Sequence, residues 1–348
     1  MGYRVVQWTT GHVGREAAKA ILRHPQLELI GCYAWSKEKE GRDVGELCGI
    51  ESTGICATHD VDALLALQPD CVCYTPNQVD PSELARLLAA GVNVACSYFV
   101  NGRTLGDEAR AKLAAAASSG NASLFGAGIF PGFANFIAAM MATASSNFQK
   151  IRFLESVDLS QYDAIANYTN LGWAEDPDEK WREINRMVLG QYAECVDVMA
   201  DMLRIPLREV SFDYEPAVTP EERTIKGFTM PQGSIAGQKC TWRGMVGDLP
   251  VIELEVVWNA GKGLEPEWPV AHGYTMEVHG NPNIHTRVRF SPSQEQIDSG
   301  RIADLANPVT AMPVVNAIPS VCDAAAGIRT YADLPLITGY YTGDQTGN

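Results

Sequence analysis

The run Tyr3-Arg4-Val5-Val6-Gln7-Trp8-Thr9-Thr10-Gly11-His12-Val13-Gly14 decides the fold. Its first six residues read as a strand. Gly11 and Gly14 then make a turn, and Ala17, Ala18, Ile21 and Leu22 follow at helical spacing to about Arg23. Strand, glycine turn and helix N-terminus together form an anion cradle. Backbone N–H groups and the helix dipole point at a phosphate, and glycine lets the backbone come close. Against the G-x-G-x-x-G template, Thr9 stands in the first glycine place. The segment Thr9, Thr10, Gly11, His12, Val13 and Gly14 is therefore expected to hold a dinucleotide, with a tight structural turn as the alternative.

From this run onward, strand and helix patterns alternate in short steps. Strands are expected at Leu27 to Trp35, Cys71 to Thr75, Val92 to Cys96 and Ser123 to Gly126. Helices start at Asp60, at Asp80-Pro81 and at Asp107. Such alternation implies parallel pairing and a Rossmann-type, doubly wound α/β sheet. The middle of the chain changes character. Gly132 to Ser145 reads as an apolar helix, Gln149 to Leu159 as a strand, and Glu179 to Leu203 as one amphipathic helix of seven turns. Five successive antiparallel strands follow, from Arg208 to Phe290. The reading is a dinucleotide-binding domain over residues 1–135, with 310–338 packing back on it. Residues 136–309 form a second, α+β domain with an open, mostly antiparallel sheet. A partner subunit is the common cover for such a sheet, so a homodimer is expected. Pro313 and Pro319 predict a kink or a late start in the last helix, and the tail from Gly339 reads as frayed.

Composition narrows the classes. The 348 residues are 46% hydrophobic and 20% charged, with 27 basic and 42 acidic side chains, net −15. That balance repels phosphate backbones and argues against nucleic-acid binding. No apolar stretch reaches the length of a bilayer span. The nine cysteines are odd in number and lie mostly in apolar runs, which predicts buried free thiols and a cytoplasmic protein. The opening strand leaves no room for a signal peptide.

The second strand ends in Ser36-Lys37-Glu38-Lys39, where NAD enzymes place an acid on the adenine ribose. A hydroxyl and two ammonium groups suit a 2′-phosphate better, so Ser36, Lys37 and Lys39 favour NADP. Glu38 keeps NAD possible. Ligands of a doubly wound sheet sit beyond the C-terminal strand ends. This nominates Thr75, Pro76 and Asn77 after one strand, Ser97 and Tyr98 after the next, and the Gly128 loop after the last.

Four segments carry a family resemblance: the Thr-Gly-x-x-Gly turn, Ser36-Lys37-Glu38-Lys39 with Gly41 and Asp43, Gly128-Ile129-Phe130-Pro131-Gly132-Phe133, and Val315-Asn316-Ala317-Ile318-Pro319. Over nearly its whole length the chain resembles the dihydrodipicolinate-reductase-like oxidoreductases, in the branch of 2,4-diaminopentanoate dehydrogenase and the native amine dehydrogenases. The resemblance implies an NAD(P) domain, a sheet-containing second domain, a homodimer or higher assembly, and hydride transfer between nicotinamide and a C–N bond. Gly128 and Asn316 join the cofactor-binding set. Dihydrodipicolinate reductase proper carries a His-His pair and a Lys where this chain reads Glu155-Ser156-Val157-Asp158-Leu159-Ser160, which argues against the lysine-pathway reaction. The amine dehydrogenases use a carboxylate shortly after the strand ending at Cys96. Here the chain reads Ser97-Tyr98-Phe99-Val100-Asn101, with no acid until Asp107.

The proton must then be moved by another group. Tyr98 lies at a strand tip; Glu155 and Asp158 open the second domain, where a desolvated carboxyl stays protonated near neutrality. Tyr168 and Asn170 lie with Trp173 in a polar loop that reads as a lid. His272, His279 and His285 near Glu277 raise a metal, but turn and strand-end histidines are usually solvated, and no metal is expected. The substrate is expected to be a small or hydrophobic amine or imine, held at the domain cleft. A carbonyl or alcohol dehydrogenase and a non-catalytic NADP-binding sensor are the alternatives.

Overall fold

The computed structural model describes residues 2–161, 165–298 and 305–341. Within them the chain forms two compact units, Met1–Phe133 with Ala306–Asn348, and Ala134–Leu305. No helix is long and apolar enough to cross a membrane among the described residues.

The first unit begins with β1 (Tyr3–Trp8), α1 (His12–Arg23), β2 (Leu27–Tyr33), α2 (Val44–Cys48), β3 (Ala57–Thr58) and α3 (Val61–Ala66). It continues through β4 (Cys71–Tyr74), α4 (Pro81–Ala89), β5 (Asn93–Ser97), α5 (Asp107–Gly120) and β6 (Ser123–Ala127). Every residue of β4 and β6 is buried, as strands covered on both faces require. Helix starts follow their caps: the Asp60 carboxylate accepts from Ala63 N–H, and Asp80 accepts from Ser82 and Glu83 N–H with Pro81 in the first turn.

The second unit holds α6 (Ala134–Met141), β7 (Phe148–Asp158), α7 (Lys180–Val188) and α8 (Gln191–Leu203). Then come β8 (Glu209–Val218), β9 (Arg223–Ile225), β10 (Phe228–Met230), β11 (Ile235–Val246), β12 (Leu249–Asn259), β13 (Gly273–Gly280), β14 (Ile284–Val288) and α9 (Gln294–Asp298). The six-stranded sheet runs β14-β13-β7-β12-β11-β8. It departs from the expected antiparallel succession because β7 inserts between β13 and β12 and pairs parallel with β12. The seven-turn helix is also corrected. The chain leaves helical geometry at Leu189, Val188 turns outward, and two helices result, which lets Trp181 and Tyr192 both face inward.

The chain then returns to the first unit with α10 (Ala306–Cys322) and β15 (Gly327–Arg329), completing an all-parallel sheet of order β15-β6-β5-β4-β1-β2-β3. Helix α10 runs unbroken through Pro313 and Pro319 instead of splitting or starting late. Each proline removes a helical hydrogen bond, a cost of roughly 3 kcal/mol. Complete burial of Val314, Val315, Ile318 and Val321 beside α1 and β5 offsets it. The expected frayed tail lies outside the described residues from 342 onward.

Candidate active site

In the first unit, the loops after β1, β2, β4, β5 and β6 leave the same edge of the parallel sheet. Thr9 takes a left-handed φ of 72°, and its N–H donates to the Tyr33 carbonyl at 3.1 Å. Gly11 opens α1 without a side-chain cap, and a Cβ built there meets nothing within 4 Å. The space beside Gly11 at the start of α1 is thus open, as an anion site at a helix N-terminus needs. Gly14 is the opposite case: a Cβ would stand 2.4 Å from the Thr9 carbonyl oxygen and 2.9 Å from Thr75 Oγ1, so only glycine fits. Gln7 pins this bend. Its Nε2 donates to the Thr9 carbonyl at 2.9 Å and to Thr75 Oγ1 at 2.8 Å, while the Thr75 hydroxyl donates to the Trp8 carbonyl.

Two cations converge on the same turn. Lys39 Nζ donates to the Thr10 carbonyl at 3.0 Å and Arg15 Nε at 3.3 Å. Desolvation first, and then the Arg15 charge, hold the Lys39 ammonium below its ordinary pKa. Lys37 is exposed and Ser36 half-buried beside it, while the neighbouring Trp35 is 79% exposed. His12 is exposed and Val13 half-buried. Pro76 is half-buried and Asn77 exposed; Tyr98 is 44% exposed, with a left-handed φ of 58°. Gly128, also at positive φ, leads from β6 toward Thr310 of α10, the helix that carries Asn316. Thr10 Oγ1, Ser97 Oγ and Asn316 Oδ1 are buried without a hydrogen-bond partner among the described residues. Buried polar atoms seldom stay unpaired. Three such atoms, an uncapped helix and a turn that admits no Cβ at Gly14 fit the phosphates and polar edges of a dinucleotide. Gln7, Arg15 and Trp35 were not singled out from the sequence.

The second unit carries a different chemistry. By strand register, the sheet face toward α8 presents Glu155 of β7, Val256 and Trp258 of β12, and Tyr274 of β13. Glu155 is 9% exposed; Oε1 accepts from Trp258 Nε1 at 3.2 Å, and Oε2 is buried without a partner among the described residues. Desolvation raises the carboxyl to about 7, against the opposing pull of the Trp258 indole. The Tyr192 phenol of α8 is pushed up by burial, with Glu155, Tyr274, Tyr168 and Cys195 close enough to add to the effect. Tyr168 packs on Trp173 at 4.8 Å and edge-on to Trp258 at 5.4 Å.

Other nominees have plainer roles. Asp158 accepts from Ser160 and Gly261 N–H and ties two loops. Trp173 is not part of a lid: it is fully buried, with its indole donating to Gln238 Oε1 at 3.0 Å, which fixes the turn that carries Tyr168. His279 and His285 both approach the Glu277 carboxylate, at 3.3 and 3.7 Å. All nine cysteines are free thiols.

Comparison with known proteins covers both units. Residues 5–122 match the dihydrodipicolinate reductase N-terminus, and residues 135–346 match the 2,4-diaminopentanoate dehydrogenase C-terminal domain. An amine dehydrogenase of Streptomyces virginiae is 29% identical over 355 residues, covering 95% of this chain and 96% of that protein. A 4-hydroxy-tetrahydrodipicolinate reductase of Synechococcus elongatus is 36% identical over 63 residues, only 18% of this chain and 23% of the relative. Among solved structures, amine dehydrogenase from Mycobacterium smegmatis superposes with a TM-score of 0.75 at 20% identity, covering 98% of each chain. GenD2 from gentamicin A biosynthesis, in complex with NAD, gives 0.51 at 18% identity over 93% of each chain.

Proposed function

The chain belongs to the family of the 2,4-diaminopentanoate dehydrogenase C-terminal domain and is an NAD(P)-dependent oxidoreductase of the amine dehydrogenase type, and we propose that Glu155 is its proton-transfer group. The reading rests on one observation. A buried carboxyl with an unpartnered oxygen lies among aromatic rings, in a chain that has no acid directly after β5.

When bound, the nicotinamide accepts or donates the hydride. In the oxidative direction the Glu155 carboxylate takes a proton from the substrate ammonium. The freed nitrogen lone pair then drives hydride departure from the adjacent carbon, leaving an iminium that water converts to a carbonyl. In sum, a primary alkylammonium, the oxidised nicotinamide and one water become a carbonyl compound, an ammonium ion, the reduced nicotinamide and one proton. A carboxyl poised near 7 serves both directions, since catalytic acids and bases work best with a pKa near the operating pH. Tyr98 and Tyr168 remain further candidates for contact with the substrate.

The proposed cofactor set is Thr9 to Gly14 with Thr75, Pro76, Asn77, Ser97, Gly128 and Asn316. Ser36, Lys37 and Lys39 give a preference for NADP. Lys39 already lies on the turn, and Lys37 is free to reach a 2′-phosphate. The Lys37→Ala/Lys39→Ala double variant is expected to weaken NADPH at least tenfold more than NADH in titrations; equal losses would discard the preference. The proposal extends to a homodimer, measurable by sedimentation, and to a cytoplasmic location, which the nine free thiols support. Function is tested at 340 nm with a ketone, NADPH and ammonia. Turnover that requires ammonia is expected, and an equal rate without it would make the protein a carbonyl reductase.

A further inference from the structure

The first unit's parallel sheet reverses its winding between β1 and β4. Strands β2 and β3 lie on one side of β1, while β4, β5, β6 and β15 lie on the other. Loops leaving β1 and β4 therefore diverge, and ligands of such sheets settle in the crevice between them. One side chain spans the point of divergence. Gln7 is fully buried near the end of β1. Its Nε2 donates to the Thr9 carbonyl at 2.9 Å, in its own loop, and to Thr75 Oγ1 at 2.8 Å, just past the end of β4. The amide can sit only one way, because its nitrogen and not its oxygen must face a carbonyl. The Thr75 hydroxyl accepts from Gln7 and so turns its single hydrogen to the Trp8 carbonyl at 3.0 Å. All three bonds have a fixed direction.

We infer that Gln7 is a positioning residue for the dinucleotide: it ties the phosphate turn to the loop after β4, so that both walls of the crevice are set before the cofactor arrives. This role rests on the cofactor set proposed above and adds a residue outside it. Thr9 is β-branched yet takes a left-handed φ of 72°, a conformation that persists only where the surroundings enforce it. Its N–H donates to the Tyr33 carbonyl at 3.1 Å and its carbonyl accepts from Gln7, so both of its backbone groups are held. Gly14, in the first turn of α1, rests on the same amide: a Cβ there would stand 3.1 Å from Gln7 Nε2. Loss of the amide would leave the Thr9 carbonyl and the Thr75 hydroxyl without this donor. Ordering the two loops would then have to be met from the binding energy of the nucleotide.

The test titrates the full chain with NADPH and with NADH, followed by intrinsic tryptophan fluorescence. Gln7→Leu is expected to weaken both nucleotides about tenfold and by the same factor, because the turn serves the shared pyrophosphate and not the 2′-phosphate. In the cofactor-free variant, the Thr9 and Thr75 amides, which donate to the Tyr33 and Trp8 carbonyls, should exchange hydrogen for deuterium faster. The rest of the unit should keep the parent rate, which also shows that the variant is folded. Thr75→Val reads the tie from its other end, and would decide the matter alone if Gln7→Leu did not fold. It is expected to lose about as much, with Thr75→Ser recovering the loss. The Gln7→Leu/Thr75→Val pair should bind at most about twofold more weakly than Gln7→Leu, since both changes remove one tie. Fully additive losses, unchanged exchange at Thr9 and Thr75, or unequal losses for the two nucleotides would each overturn the role. Nucleotide binding that Gln7→Leu leaves at the parent affinity removes the tie and keeps the cofactor site. A parent that binds neither nucleotide at millimolar concentration removes the cofactor site, and faster exchange in Gln7→Leu would then assign the tie to folding alone.

Discussion

Glu253 and Glu155 stand on adjacent strands of one sheet, on opposite faces, and their carboxyls are driven in opposite directions. Glu253 on β12 is paired with three cations: Lys150 Nζ at 3.2 Å, Arg152 Nε at 2.9 Å and Arg243 Nε at 3.1 Å. Burial pushes its pKa up, but these cations outweigh burial and hold it below the usual carboxylate value. Glu155 on β7 has one indole N–H and a wall of rings, and burial prevails, raising it to about 7. Local secondary structure is the same in both cases. What differs is whether the neighbouring strands place cations or aromatics across from the carboxyl, and that choice separates a structural ion pair from a group able to exchange protons at neutral pH.

The largest effect expected is on turnover. Glu155→Gln keeps an oxygen to accept from the Trp258 indole but cannot exchange a proton. It should lower kcat/KM at least 100-fold and remove the pH-dependent limb near 7, in line with the two to four powers of ten ascribed to general acid–base groups. Glu253→Gln should leave kcat/KM within about threefold. Comparable losses in both variants, read from initial rates across pH 5.5 to 9.5, would erase the distinction between the faces.

A second, smaller effect concerns stability and carries opposite signs. Glu155 titrates near 7 when folded and near the ordinary glutamate value when unfolded. Its contribution is therefore fully present below the unfolded value and is lost as pH rises through about 7, a swing on the order of 3 kcal/mol. The phenols of Tyr192 and Tyr274 and the Trp258 indole are the groups around it, with Tyr168 edge-on to Trp258 and Cys195 beside Tyr192. Glu253 has a lowered value, so its contribution is present above the unfolded value and lost as pH falls through the folded one. Urea unfolding should show Glu155→Gln gaining on the parent from pH 5 to pH 8, and Glu253→Gln losing ground on the parent from pH 3 to pH 5. Parallel slopes would mean that Glu155 is solvated, and the proton-transfer role would go with it.

The same contrast sets how much of the molecule the sequence exposes. Strands buried on both faces, such as β4, appear as unbroken apolar runs, and Gly14 is legible because a local turn admits no side chain there. The family resemblance proves correct because its segments are also contiguous. Gln7 escaped notice: a lone polar residue in a strand shows its purpose only once Thr75, just past the end of the neighbouring β4, comes within reach of its amide. Arg15 likewise reads as an ordinary exposed helix residue until Lys39 joins it at the Thr10 carbonyl. Glu155 is nominated by position, yet its surroundings come from α8, β12 and β13, far apart in the chain. The break after α7 is hidden because the apolar stripe continues across it, and only the outward turn of Val188 reveals it.

The smallest effect probes the ion-paired face from within. Removing one of three cations should cost little, since Lys150 and Glu253 keep 30% and 12% of their side-chain surface and both arginines remain. Lys150→Met is thus expected to destabilise by about 0.5 kcal/mol, in the range of partly exposed pairs. The loss should shrink in 0.5 M salt, because the Debye length falls to a few ångströms at that ionic strength. A salt-independent loss above about 2 kcal/mol in urea titrations would show that Glu253 needs all three partners. Both faces would then penalise an underpaired carboxylate alike, and the raised Glu155 would have to be explained by something other than its lack of cations.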